Sequence, residues 1–205
     1  MSQVAFQSAL GRLATDRAFR DRARAEGALA FGPGFTPLER RRLAGLGHDR
    51  GLDLTAALIA SFRLGKLLSL LPLTRGLLGP RRFAREARRF WAAHPPVSFY
   101  LPDEATGFCE HLLARLREGW RVPYLAEVVA YERAMIELRR VRPAGRQPAP
   151  QRLAFRHDPG RLLTALARGR RPRRIPRRPC VVVGRAKNGD VEWVVEQAPA
   201  RAPAG

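Results

Sequence analysis

The chain has 205 residues, 45% of them hydrophobic, which is enough apolar material for one large domain or two small ones. Its 38 Lys and Arg against 18 Asp and Glu give a formal charge of +20, with Lys66 and Lys187 as the only lysines, so an acidic protein surface, an acidic peptide or a nucleic acid would be steered toward it in a salt-dependent way. Cys109 and Cys180 stand apart with no CxxC, which argues against a disulfide scaffold and a structural zinc site, and the first residues have no basic stretch leading into an apolar core, which argues against a secretory signal. The expected location is therefore the cytoplasm.

In chain order, Val4, Leu10 and Leu13 with Phe6 fall at helical spacings over residues 3–14, and a second helix follows from Thr15 or Asp16 with Ala18, Phe19 and Ala23 available for packing. Thr36-Pro37-Leu38-Glu39 is a capping box with proline at the first helical position, opening a helix from Pro37 to about Leu46 that Gly47 closes. These three short helices predict a small bundle. A long apolar run, Leu54 to Leu73, contains Arg63, Gly65 and Lys66 and ends at Pro72; it reads as a buried helix from about Asp53 to Leu71 packed on the bundle, and not as a membrane span. A further helix runs from Pro80 to Ala93 and is stopped by Pro95-Pro96, followed by a short aromatic extended piece and a helix starting near Asp103. The clearest helix is entered through Val122-Pro123-Tyr124, where Leu125, Val128, Val129, Met135 and Ile136 recur on one face. Glu132 lies on that face too, and a buried carboxylate has to be hydrogen-bonded, paired or protonated, so it reads as a structural brace tied to an Arg, a Tyr or a backbone amide.

Beyond Arg139 the run VRPAGRQPAP is a linker or surface loop. Leu153 and Phe155 sit in a short extended run, Asp158-Pro159 caps a helix from Gly160 to Ala167, and GRRPRRIPRRP then carries six arginines and no acid. Cys180-Val181-Val182-Val183 and Val191 to Val195 flank Lys187-Asn188-Gly189-Asp190, a strong hairpin signal, and a third strand near Leu153 would complete a small antiparallel sheet. The predicted fold is α+β and mostly α: an N-terminal helical bundle (1–94), central helices (95–142), a small α/β region ending in a hairpin (143–198) and a frayed tail (199–205).

Catalytic chemistry is not visible. His48, His94, His111 and His157 are scattered without ligand spacing, there is no phosphate-binding or nucleophile-elbow motif, and Cys109 sits among Phe108, Leu112 and Leu113 as a packing residue. No catalytic residue, metal ligand or cofactor is assigned to this chain.

Two stretches resemble known families. The run ALGRLATDRAFRDRARAEGALAFGPGFTPLERRRLAGL resembles a small helical module found in the short subunit of some extradiol dioxygenases and in several peptide-modification proteins. FWAAHPP, SFYLPDEATGFCEHLL and VPYLAEVVAYERAMIEL resemble the partner subunits of TIM-barrel, multinuclear-iron peptide-modifying oxidases, the group that includes the methanobactin-biosynthesis partner proteins; a related group of similar architecture is described as DNA-binding. What this resemblance implies is a non-catalytic subunit that binds the leader of a ribosomally made precursor peptide and presents its cysteines to the enzyme, with the iron held by the oxidase subunit and no membrane involved.

Within that expectation the arginine run lies just before a strand, so Arg173, Arg174, Arg177, Arg178 and Arg185, with Val181, Val182 and Val183, are the candidate peptide-binding residues. A sheet edge supplies backbone hydrogen bonds while guanidinium groups fix carboxylates in register. The alternative is a basic DNA-binding or regulatory module, the only reading in which nucleic acid is a partner; the run has the charge for it, but no helix-turn-helix can be placed and the nearest aromatic in sequence is Trp193.

Overall fold

The computed structural model describes residues 3–94, 101–140, 148–187 and 190–196. The proline stop at 95–96 with the extended piece after it, the loop at 141–147, the Asn188-Gly189 turn and the tail from 197 lie outside the described residues. The protein is α+β and mostly α, with a three-stranded antiparallel sheet toward its C-terminal end. It divides into two compact units, Met1–Lys66 with Ala87–Phe99, and Leu67–Glu86 with Tyr100–Gly205.

In the first unit, α1 (Gln3–Thr15) buries Ala9 and Leu13, with Phe6 partly covered. This corrects the predicted face: Val4 and Leu10 are exposed, because the stripe through 6, 9 and 13 leaves them on the opposite side. Asp16 accepts the amide of Phe19 at 2.9 Å and so caps α2 (Arg17–Glu26), which buries Phe19 and Ala23. The chain reverses at Gly27 (φ 59°) into one 3-10 turn, and Phe31 then meets Phe19 edge-on at 5.8 Å. Thr36 and Glu39 form the capping box of α3 (Pro37–Gly47), which adds Leu43 to this core. Arg24 clips the bundle to α4 (Arg50–Leu70), donating to the Gly47 carbonyl at 2.6 Å and to Asp53 at 2.7 Å.

Helix α4 departs from the expectation of a buried helix. Between Arg50 and Lys66 only Arg63 is buried, its guanidinium 4.7 Å from the ring centre of Trp91, whereas Leu54, Leu58 and Phe62 are each at least 60% exposed. Its apolar residues lie on more than one side, and near its start Leu52 packs against the bundle core. Burial resumes at Leu67 and Leu71. At Pro72 the chain bends by 99° into α5 (Pro72–Leu78), and no single helix among the described residues is long and apolar enough to cross a membrane.

The second unit is assembled around α8 (Leu125–Arg139), which packs against α5, α7 (Leu101–Arg117) and all three strands. Being covered from several directions, it buries Glu127, Ala134 and Leu138 as well as Leu125, Val128, Val129, Glu132 and Ile136 of the predicted face, while Met135 is half-buried. Helix α6 (Pro80–Ala93) contributes Phe83, which packs edge-on against Phe108 of α7 at 5.3 Å. Cys109 beside it is buried, and burial pushes its thiol up to about 12, so it packs as a small apolar group. Strand β1 (Gln151–His157), helix α9 (Pro159–Ala167, capped by Asp158), β2 (Arg177–Lys187) and β3 (Asp190–Glu196) complete the unit.

This division differs from boundaries at 94 and 142. Helix α5 lies against α8 and α9, and the sheet rests on α8, so residues 67–86, 101–140, 148–187 and 190–196 share one core.

Candidate peptide-binding surface

The strand order is β1-β2-β3, which makes β2 the central strand. Leu153 pairs with Val182, and Val182 with Val195, so the backbone of β2 is engaged on both sides there. Alternation puts Leu153, Phe155, Cys180, Val182, Gly184 and Trp193 on the face toward α8. Gly184 is required by that packing, since a Cβ would stand 2.7 Å from the Trp193 ring and 2.8 Å from Leu138. The indole in turn donates to the Met135 sulfur at 3.2 Å and lies 4.9 Å from Tyr131.

On the opposite face lie Arg152, Ala154 and Arg156 of β1, Val181, Val183 and Arg185 of β2, and Glu192, Val194 and Glu196 of β3. Arg152 and Glu196 form a two-pronged ion pair, at 3.0 and 2.6 Å, that bridges across β2 from one edge strand to the other. Val183, opposite Arg152, is only 5% exposed.

The candidate residues therefore separate. Val182 belongs to the core, and Val181 and Val183 face outward on a strand already paired on both sides, so none of the three offers backbone to an added strand. Arg185 is exposed on the outward face, opposite Glu192. The backbone groups open to addition are those of the edge strands. On β3, Val194 and Val195 are 54% and 55% exposed. Exposed β-branched side chains on an edge invite pairing. Strand β2 starts at Arg177, three residues before the predicted Cys180, so it exceeds its seven-residue hairpin partner and pairs with β1 beyond the end of β3.

That extension carries the arginines. Strand β3 ends at Glu196 opposite Val181, while β2 begins earlier at Arg177, so the C-terminal end of β3 points toward Arg177 and Arg178. Arg173 and Arg174 are exposed in the segment just before, where Arg174 has a left-handed backbone (φ 44°). The segment is held in place: the Ile175 amide donates to the Tyr124 hydroxyl at 3.1 Å, and the Pro176 carbonyl accepts from the Asp158 amide at 3.0 Å. Arg178 lies 3.8 Å from Asp158; Arg173, Arg174 and Arg177 have no ion-pair partner among the described residues.

Two buried carboxylates fix the frame. Glu127, unnoticed in the sequence, accepts from the amides of Arg156 and His157 at 2.5 and 3.2 Å and lies 3.0 Å from His157 Nδ1, tying the irregular end of β1 to α8. Glu132 accepts from the amides of Leu73 and Thr74 at 2.6 and 2.9 Å, satisfying free donors at the start of α5. Burial outweighs these hydrogen bonds and raises its pKa from 4.5 to about 7.

Among the described residues, no three His, Cys, Asp or Glu side chains gather as a metal-binding group. Among the described residues, the elements thus define a helix-backed sheet whose β3 edge carries no further strand, beside an exposed arginine segment. No protein family, curated protein or solved structure matches the chain.

Proposed function

We propose that this chain is a non-catalytic partner subunit of an iron-dependent, peptide-modifying TIM-barrel oxidase, binding the leader of a ribosomally made precursor and presenting its cysteines to the enzyme. The supporting observation is the open β3 edge with exposed Val194 and Val195, leading toward the exposed arginines at the start of β2. A leader pairing with β3 gains backbone hydrogen bonds along the edge, and acidic residues beyond Glu196 reach Arg177 and Arg178. Iron belongs to the oxidase subunit in this reading. The exposed Leu54, Leu58 and Phe62 of α4 are the face offered to that subunit, since a second copy of a +20 chain would be repelled.

The test is reconstitution: a cysteine-containing precursor and a TIM-barrel oxidase encoded beside this gene are co-expressed with and without the chain, and the precursor is weighed by mass spectrometry. Modification should require the chain and should be lost in Val194→Lys, which places charge on the outward face of the edge strand. Modification without the chain, or stoichiometric iron bound to the isolated chain, overturns the reading. A basic DNA-binding or regulatory module is the second reading. It gains its place if neutralising Arg173, Arg174, Arg177 and Arg178 abolishes duplex binding and leaves leader binding intact.

A further inference from the structure

A second basic feature of the same unit lies at the corner where α5 turns into α6. Gly79 (φ 77°) makes that turn. Helix α9 packs on α5, with Gly76 against Leu166; an added Cβ at Gly76 would lie 3.7 Å from a Leu166 methyl group. Gly169 (φ 68°) closes α9, with its amide bonded to Leu166 and that of Arg170 to Ala165, which fixes the direction in which Arg171 leaves.

The result is a concavity of about 280 Å³ lined by Leu78, Gly79, Pro80, Arg81, Arg82 and Arg171. Arg81 and Arg82, neighbours on α6, and Arg171, from just past the far end of α9, thus line one concavity. None of the three has an ion-pair partner among the described residues. Like charges held together repel, and an anion placed among them relieves the repulsion. Guanidinium forks bind carboxylates two bonds at a time, and Leu78 and Pro80 add apolar surface beside them.

We propose that this concavity is an acidic-peptide site that takes neighbouring Asp or Glu carboxylates. The peptide identity rests on the function proposed above; the convergence of the three arginines does not. A nucleic acid suits it less well, because single strands are held by bases stacked on aromatic rings, and the aromatics nearest the arginine segment are engaged internally, Tyr124 with Ile175 and Trp193 with Met135.

The experiment uses the full chain and a fluorescein-labelled peptide of eight alternating Asp and Glu residues, followed by fluorescence anisotropy at low and high salt. Arg171→Gln and Arg81→Gln/Arg82→Gln should each weaken binding about tenfold and flatten its salt dependence. Combined, they should cost less than the product of the two effects, as expected of groups that share one ligand. Arg41→Gln/Arg42→Gln, which removes two exposed arginines from α3, should weaken it less than about twofold. Equal losses in the control and the pocket variants, or no loss in the pocket variants, overturn the proposal. A DNA duplex that binds more tightly than the peptide and shows the same loss on Arg171→Gln also overturns it, in favour of nucleic acid. Val194→Lys leaves this probe's binding unchanged if the pocket acts alone, so failure of the sheet-edge reading and failure of the pocket are read separately.

Discussion

At the scale of single residues, Glu132 and Gly184 show how environment decides what a side chain contributes. The pKa of Glu132 is raised by burial from 4.5 to about 7, so the folded state holds its proton over a range where the unfolded state has released it. Its contribution is fully present below about pH 4.5 and is lost as pH rises through about 7, an effect on the order of 3 kcal/mol. Relative to Glu132→Gln, the wild-type chain should therefore lose stability between those pH values, as read by denaturant midpoints across the range. Glu132→Ala leaves the Leu73 and Thr74 amides without their acceptor and should cost roughly 1–3 kcal/mol. Gly184 can be tested as directly. An alanine Cβ there meets the Trp193 ring and Leu138, and since both are held by the α8 packing the expected loss is about 1–3 kcal/mol, seen as a lower urea midpoint at unchanged slope.

Elements differ in how legible they are. The capping box at Thr36, the Asp158 cap and the hairpin pairing can be read from neighbouring residues, because each is a local hydrogen-bonding arrangement. Glu127 is different. Its partners, Arg156 and His157, arrive from a strand far along the chain, and nothing near Glu127 announces them. The same limit explains the central place of β2, which depends on β1 returning to pair with it, and the sidedness of α4. Apolar composition gives that helix a reason to be buried but does not say how much cover the fold supplies. Leu58→Gln should therefore change stability by less than about 0.5 kcal/mol, whereas Leu67→Ala on the same helix should cost about 2–5 kcal/mol. Thermal melts of the two variants check this; a large loss at Leu58 would mean that this face is covered in solution.

At the scale of the whole molecule, the second unit is discontinuous in sequence, and this has a consequence for dissection. The helix stop at Pro95-Pro96 invites cutting the chain there to obtain the sheet and its helices alone. Such a fragment keeps α7, α8, α9 and the three strands but lacks α5 and the first half of α6. It thereby removes Leu77, Leu78 and Phe83 from the core and leaves Phe108 without its edge-on partner. It also strips Glu132 of both backbone donors, leaving a carboxylate facing apolar surface newly opened to water. The buried groups lost are several, each worth about 1.5–3 kcal/mol, against a typical stability of 5–15 kcal/mol for a domain. The fragment 95–205 should therefore show helical far-UV circular dichroism without cooperative melting. A fragment starting at Leu67 retains α5, the Glu132 cap and Phe83 and should melt cooperatively, with slow-exchanging amides along α8 and β2. Cooperative melting of 95–205 would show that α5 is dispensable and that the division of the chain follows the Pro95-Pro96 stop after all.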